Sequence, residues 1–233
     1  MLELFGRRVS PVDGALEVGD HVVGAKALEH RRIPVEAEEV DHPLRLPLDI
    51  ADTAATEAAI AAHGPFDVLV NSAGLARHTP ATETRPEDYD AAFDLNVRAA
   101  YFLARAVARG LIAAQKPGSL ITISSQMGLV GGPDRAVYAA TKHALEGMTK
   151  SMAIEWAPHG IRVNTICPTF IRTPLAEQTL KNPERRAWIE SKIKLGRVGE
   201  VEDVMGAVAF LASDAAALIT GTHLLIDGGW TAG

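Results

Sequence analysis

Short apolar runs alternate with longer amphipathic stretches along most of the chain. Each run ends at glycine, proline or small polar residues, and the runs lie at residues 66–70, 119–123, 161–166 and 224–226. Helices are predicted between them, the longest over 86–115, 137–157 and 201–211. Short, continuously apolar strands separated by helices are typical of a parallel sheet covered on both faces. The pattern therefore predicts one α/β domain over residues 1–233, built on a doubly wound parallel sheet.

The first 48 residues follow this pattern less regularly. A first strand is predicted over 6–12, although Pro11 removes a backbone donor from it. A short helix over 22–30 and a second strand over 33–36 would follow. From residue 46 the pattern becomes regular, with a short strand to Ile50 and an alanine-rich helix that Asp52 would cap.

Composition and charge exclude several classes of function. A net charge of −6 without a basic block argues against nucleic-acid binding. Cys167 is the only cysteine, and the eight histidines form no H-x-x-x-H or H-E-x-x-H pattern, so no metal site is predicted. The N-terminus has no signal-peptide core, and the longest apolar stretch, 204–221, is interrupted by Ser213-Asp214. We therefore expect a soluble cytoplasmic protein with no membrane partner.

Tyr138 and Lys142 stand four residues apart in the helix predicted over 137–157. This spacing places the phenol and the ammonium on one face, about one turn apart. A cation held there favours phenolate, so the Tyr138 pKa is expected to lie below its usual value of about 10. Such a phenol could serve as a general acid or base near neutral pH. A lone Y-x-x-x-K occurs by chance in many helices, so the surrounding motifs decide its meaning.

Small and polar residues collect where the predicted strands end. In a parallel α/β sheet, ligands bind beyond the carboxyl ends of the strands. Loops in general collect such residues, but their recurrence after one strand after another favours a binding site. The positions are Asp49, Asn71-Ser72-Ala73-Gly74, Ser124-Ser125, Cys167-Pro168 and Asp227-Gly228-Gly229.

Taken in order, these motifs resemble the classical short-chain dehydrogenase/reductase (SDR) family over residues 49–233. Residues 71–74 resemble its N-x-A-G turn, and Asn96 resembles its helical asparagine. Ser125 lies thirteen residues before Tyr138, as the family's serine does. The resemblance implies a Rossmann-like fold and an NAD(P)-dependent oxidoreductase that interconverts a secondary alcohol and a ketone. Family members are usually homotetramers, and residues 86–115, residues 137–157 and Trp230 are candidate interfaces.

The resemblance also assigns roles to four catalytic residues. Tyr138 would exchange a proton with the substrate oxygen, and Lys142 would lower the Tyr138 pKa and bind the nicotinamide ribose. Ser125, rather than Ser124, would donate to the substrate carbonyl oxygen. Asn96 would hold a water that links Lys142 to solvent. A packing tyrosine, an exposed lysine and a structural hydrogen bond of Asn96 are the plain alternatives.

Cofactor contacts are implied at further positions. Asp49 and Ile50 would meet the adenine, although Asp49 could equally be a charge at a helix start. The small residues near the second strand would let the backbone approach the cofactor closely. Cys167 is interpreted as a small apolar residue rather than a nucleophile. The remaining implied cofactor contacts are Asn71, Ala73, Gly74, Tyr138, Lys142, Pro168, Ile171 and Thr173.

The N-terminal glycine motif departs from the family's T-G-x-x-x-G-x-G pattern. Gly14 and Gly19 fit the first two glycines only with one residue inserted, and His21 replaces the third. Three nearby carboxylates, Asp13, Glu17 and Asp20, would face the dianionic pyrophosphate, each costing several kcal/mol at about 4 Å before screening. A second hypothesis is therefore a cofactor-impaired, non-catalytic scaffold or oligomer subunit.

The acidic residues after the second predicted strand bear on cofactor choice. Glu36, Glu38 and Glu39 would repel a 2′-phosphate, which favours NAD over NADP. The substrate is expected to be a small alcohol or ketone, either a 3-oxoacyl or a sugar-type compound. The residues expected to select it are Arg77, His78, Gln126, Met127, Pro133 and a segment at about 169–199 that would close over the site.

Overall fold

A computed structural model describes residues 3–5 and 48–233 of the chain, and their strands form one sheet. The order across the sheet is β1-β2-β3-β4-β5, with β2 to β5 parallel and β1 antiparallel to β2. The antiparallel β1 was not predicted. The strands are β1 (Glu3–Phe5), β2 (Val68–Asn71), β3 (Gly118–Ile123), β4 (Ile161–Pro168) and β5 (His223–Ile226).

Helices fill the connections between the strands, close to where the sequence predicts them. Asp52 caps α1 as expected, since its Oδ1 accepts from the Ala55 N–H at 3.0 Å. The described α-helices are α1 (Thr53–His63), α2 (Pro86–Phe93), α3 (Ala100–Ala113), α4 (Ala136–Trp156), α5 (Pro174–Leu180), α6 (Pro183–Lys192) and α7 (Val201–Ala212).

The structure differs from the sequence predictions in the helix over 86–115 and at residues 48–50. The single helix predicted over 86–115 is α2 and α3 joined by a π-helical turn at Asp94–Ala99. Residues 48–50, predicted to end a strand, form an irregular approach to a turn. The elements predicted over 6–12, 22–30 and 33–36 lie outside the described residues.

Alternate side chains of the strands pack against helices on opposite faces of the sheet. Leu69 and Leu120 are buried with residues of α1, α3 and α4 on one face. Val70 and Ile121 pack with α7 on the other. This period-two alternation follows from the strand geometry and confirms the predicted doubly wound α/β fold. No helix within residues 48–233 has the length and apolar character needed to cross a membrane.

The polar stretch between β4 and α7 folds into α5 and α6 around a small core of its own. Ile189 and Ile193 are buried there against Phe170 and Trp230. The two ends of the stretch meet at a parallel bridge, where the Gly199 N–H donates to the Phe170 carbonyl at 2.8 Å. This stretch is therefore anchored at one base beside the sheet.

Candidate active site

A cavity of about 400 Å³ lies beyond the carboxyl ends of β2, β3 and β4. Its lining brings together three predicted catalytic residues that are far apart in sequence, because parallel strands end at one edge of the sheet. The predicted site residues that line it are Gly74, Ser125, Tyr138, Lys142, Pro168, Ile171 and Thr173.

Tyr138 and Lys142 lie on the first turns of α4, with the Lys142 Nζ 5.6 Å from the Tyr138 ring centroid. Lys142 is 3% exposed, and its ammonium donates to the Ile123 carbonyl at 3.0 Å. Burial lowers the pKa of Lys142 to about 8. The α4 helix therefore holds a poorly solvated cation at the cavity wall.

The predicted depression of the Tyr138 pKa is not found in the protein chain alone. Burial raises the pKa of Tyr138, while the Ser125 hydroxyl and the Arg135 charge act in the opposite direction. Lys142 is not among the groups that shift this pKa, and its ammonium donates to the Ile123 carbonyl. At pH 7 the phenol is therefore protonated, which is the form that a proton donor to a substrate oxygen requires.

Ser125 follows β3 and projects into the same cavity. Its Oγ accepts from the Met127 N–H at 3.1 Å, which leaves the hydroxyl hydrogen free to donate. Ser124 also lines the cavity, and its buried hydroxyl has no partner among the described residues. The effect of the Ser125 hydroxyl on the Tyr138 pKa favours Ser125 as the partner of the phenol.

Asn96 does not line the cavity but fixes the loop that does. Its Oδ1 accepts from the Leu75 N–H at 2.7 Å, and its Nδ2 donates to the Leu75 carbonyl at 2.8 Å. The same Nδ2 donates to the Thr141 Oγ1 at 3.1 Å, which ties the loop to α4. A Cβ added at Gly74 would lie 3.6 Å from the Asn96 Oδ1 and 3.8 Å from the Lys142 Nζ. These contacts describe a structural clamp; the proposed water relay remains a prediction.

The residues present fit the nicotinamide-ribose half of a dinucleotide. Gly74 exposes its backbone at the cavity, and Lys142 supplies a cation beside it. The Thr169 hydroxyl is buried without a hydrogen-bond partner among the described residues, so it is available to a polar ligand. Ile123, Pro168 and Ile171 provide apolar surface against which a nicotinamide ring could pack.

The other predicted cofactor contacts are not among the cavity-lining residues. Asp49 is exposed, and its Oδ1 accepts from the Ala51 N–H at 2.9 Å, which matches the alternative of a charge near a helix start. Ile50 is buried. Asn71 shapes the turn after β2, because its Oδ1 accepts from the Ala73 N–H at 3.1 Å. Gly14 and Gly19 lie outside the described residues.

Two side chains beside Tyr138 add charge and polarity to the site. The Arg135 Nη1 lies 2.8 Å from the His78 Nε2, and the His78 ring meets the Tyr138 ring edge-on at 5.8 Å. Burial, followed by the Arg135 charge, lowers the pKa of His78 to about 4, so the imidazole is neutral at pH 7. Because Nε2 must then accept from Arg135, we assign the ring proton to Nδ1. Sequence reasoning named His78 but missed Arg135, whose position one turn before Tyr138 was the available signal.

A second cavity of about 290 Å³ adjoins the first at Arg135 and Phe170. Trp188 and Trp230 line it, and the Trp230 ring packs against both Phe170 and Trp188 at centroid distances of 5.9 and 5.5 Å. Trp230, predicted as an interface residue, thus packs within its own chain. The two cavities give the site an inner part that holds the predicted catalytic residues and an outer aromatic part.

Cys167 lies buried behind the site, at the end of β4. Its thiol donates to the Glu146 Oε1 at 3.4 Å, and burial followed by that carboxylate raises the pKa of Cys167 to about 12. A buried thiol with so high a pKa is a poor nucleophile. The structure therefore agrees with the interpretation of Cys167 as a packing residue.

Comparison with known proteins finds relatives that are named as reductases over most of the chain. A family model described as enoyl-(acyl carrier protein) reductase matches residues 15–231. D-erythrulose reductase of Gallus gallus is 42% identical over 183 residues, which are 78% of this chain and 74% of the relative. L-xylulose reductase of Bos taurus is 36% identical over 241 residues, which cover 99% of each protein.

Solved structures give the same picture. A gluconate 5-dehydrogenase from Burkholderia cenocepacia, in complex with NADP and tartrate, superposes with a TM-score of 0.77 at 35% identity. The match covers 80% of this chain and 74% of that one. Another similar structure holds NADH, so the solved relatives do not support a preference for NAD.

The fold, the site and these relatives define an NAD(P)-dependent oxidoreductase that interconverts an alcohol and a ketone. The chain belongs to the classical short-chain dehydrogenase/reductase family.

Proposed function

We propose that the chain reduces a polyhydroxy ketone to the corresponding secondary alcohol, or catalyses the reverse oxidation, with Tyr138 as the acid/base. The observation that carries the proposal is the convergence of Ser125, Tyr138 and Lys142 on one cavity. The names of the relatives support this substrate class, because erythrulose, xylulose and gluconate are all polyhydroxy compounds.

Each of these residues has a definite task in the reduction. The Ser125 hydroxyl donates to the carbonyl oxygen and fixes it where negative charge develops. The Tyr138 phenol passes its proton to that oxygen, and in the oxidation it takes the proton back. The Lys142 cation lines the same cavity and would bind the nicotinamide ribose, while the nicotinamide, when bound, supplies or accepts the hydride.

The inner cavity favours a polyhydroxy substrate over a 3-oxoacyl chain. Gln126 is 1% exposed, and neither its amide nitrogen nor its amide oxygen has a partner among the described residues. A buried polar group left without a partner costs about 1–3 kcal/mol. A hydroxyl-rich ligand beside Ser125 would supply such partners, whereas an acyl chain would not.

A non-catalytic scaffold is the alternative that the acidic residues near Gly14 and Gly19 favour. Those residues lie outside the described part of the chain. The cavity next to Tyr138 supports the catalytic hypothesis. It buries Lys142 and an unpartnered Gln126, which is costly to stability and is not needed by a scaffold that binds no ligand. We retain residues 1–48 as an atypical start of a single cofactor-binding domain that spans residues 1–233.

The substrate segment and the assembly belong to the same proposal. Residues 169–199 would close over the substrate, and the bridge between Ile171 and Gly199 would act as their fixed base. A homotetramer is proposed from the family resemblance. The exposed apolar side chains Met205, Phe210 and Leu218 on and after α7 offer a surface for it, which the sequence did not predict.

A substrate and coenzyme panel tests the proposed function. The purified protein is assayed with L-xylulose, D-erythrulose, 5-keto-D-gluconate and acetoacetyl thioester, each with NADPH and with NADH. We expect turnover of at least one polyhydroxy ketone and little with the thioester. The predicted NAD preference, drawn from Glu36, Glu38 and Glu39, requires the higher kcat/KM with NADH. Failure of all four substrates with both coenzymes would favour the scaffold.

A further inference from the structure

Arg135 places a positive charge in the wall shared by the two cavities. In the described part of the chain no carboxylate lies within 4 Å of its guanidinium, which contacts the His78 Nε2 at 2.8 Å and covers the Phe170 ring at 5.1 Å. Burial lowers the pKa of Arg135, which reflects a charge that is desolvated and incompletely compensated. Arg135 is partly buried, and a charge that is partly removed from water gains from an anionic partner.

The neighbouring groups do not supply that anion. His78 is neutral, so it accepts a hydrogen bond but does not cancel the charge. The Asp134 carboxylate is directed to the Arg185 guanidinium, 3.6 Å away, on the exposed side of the outer cavity. Glu184 lines that outer cavity and not the inner one. The inner face of Arg135 therefore remains available to an anionic ligand.

Arg135 also stands at a useful distance from the reacting groups. It is the N-cap of α4, three residues before Tyr138, and the His78 ring contacts both side chains. A ligand of a few carbons can reach both side chains at once. The guanidinium offers a planar pair of N–H donors, which matches the two oxygens of a carboxylate.

We propose that Arg135 binds the carboxylate of the substrate, and that the preferred substrate is a hydroxy or keto acid rather than a neutral ketose. The inference rests on the proposed function, whose polyhydroxy substrate class it narrows. The carboxylate lies on Arg135 while the carbonyl to be reduced lies on Ser125 and Tyr138. One substrate molecule would thus contact Arg135 at one end and the reacting groups at the other.

The first test compares an acidic and a neutral substrate in three variants. Arg135→Gln removes the charge, Arg135→Lys keeps it without the planar donor pair, and Arg109→Gln removes an exposed charge on α3 far from the site. In Arg135→Gln the KM for 5-keto-D-gluconate should rise roughly 10- to 100-fold, as expected for a lost charge-assisted contact, and the KM for L-xylulose should stay close to the parent value. Arg135→Lys should be intermediate, and Arg109→Gln should behave as the parent. An equal rise in KM for both substrates would mean that Arg135 does not recognise the carboxylate, which overturns the inference. A change in kcat that both substrates share is expected from the effect of the Arg135 charge on Tyr138 and does not enter the comparison.

A binding measurement separates this inference from the proposed function. Calorimetry with tartrate and with threitol, its neutral four-carbon counterpart, requires no turnover. We expect the parent protein with its coenzyme to bind tartrate more tightly than threitol, and Arg135→Gln to lose that difference. If the protein turns over neutral ketoses but does not prefer tartrate to threitol, the inference about Arg135 is overturned and the proposed function stands. An Arg135-dependent tartrate preference without turnover of any ketone would instead count against the proposed function.

Discussion

The Asn96 side chain holds both backbone groups of Leu75, with 2.7 Å between Oδ1 and the Leu75 nitrogen and 2.8 Å between Nδ2 and the Leu75 oxygen. This pairing joins the π-helical turn after α2 to the loop after β2, which carries Gly74 into the cavity. Asn96, which the sequence predicts to hold a relay water, therefore fixes the loop that carries Gly74.

The clamp predicts a stability effect. Asn96→Ala leaves two partly buried backbone groups of Leu75 unpaired, so the free energy of unfolding should fall by about 2–4 kcal/mol. Urea unfolding at pH 7 measures the change. A loss of turnover without any loss of stability would contradict the clamp and favour the water relay.

Lys142 predicts a pH dependence of stability. Its pKa is lowered from 10.5 to about 8, so between these values the unfolded chain binds more protons than the folded one. Stability from this group therefore rises with pH across that window, by about 3 kcal/mol in total, and is lost as pH falls through 8. Lys142→Met, which buries no charge, should be more stable than the parent at pH 7.

Denaturant unfolding of both proteins at pH 7 and pH 10 checks this expectation. The gap between Lys142→Met and the parent should narrow at pH 10. Because every other titrating group is common to the two proteins, the comparison isolates Lys142. A gap that does not change with pH would show that the lysine is not held in a desolvated, charged state.

Gly228 links the C-terminal turn to the end of α6. It has φ +59°, and an added Cβ would lie 2.5 Å from the Ile193 Cγ2. Gly228→Ala should therefore strain the turn and displace Ile193, lowering stability by about 1–3 kcal/mol and raising the substrate KM. Thermal unfolding and steady-state kinetics measure both effects.

Gly147 provides the matched control for that substitution. It lies in α4 with no atom within 4 Å of an added Cβ. Gly147→Ala should therefore stabilise the protein by about 0.5–1 kcal/mol through helix propensity. Equal effects of the two substitutions would contradict the packing described between Gly228 and α6.

Cys167 should be chemically silent in the native protein. Its thiol is buried, with a pKa raised to about 12, so little thiolate exists at pH 8. Iodoacetamide should leave the folded protein unmodified and alkylate it fully in denaturant, as measured by mass spectrometry. Rapid alkylation of the folded protein would contradict the buried position.

Local patterns in the sequence predict the sheet and the core of the site, but not contacts between distant residues. Ser125, Tyr138 and Lys142 follow from strand-end position and helical spacing. The bond from Asn96 to Leu75 spans 21 residues, and the π-helical turn that accommodates it has no local signal.

The remaining differences also have physical causes. Residues 172–199 have a polar sequence, so the sequence does not predict α5 and α6. These helices are stabilised by side-chain caps and by packing against Trp230, which lies far along the chain. Arg135 reads as a charged residue at a helix start, and its role depends on its burial beside Phe170 and His78. The expected lowering of the Tyr138 pKa was wrong because helical spacing does not reveal how strongly burial raises that pKa.

The most direct test of the account compares the parent protein with Tyr138→Phe, in coenzyme binding by calorimetry and in ketone reduction. Removal of the phenolic hydroxyl takes away the proton donor but leaves the cavity walls in place. We expect NADPH or NADH to bind both proteins with similar affinity, while kcat in Tyr138→Phe falls at least ~10²-fold. Undiminished turnover in Tyr138→Phe, or no coenzyme binding by the parent protein, would contradict the account.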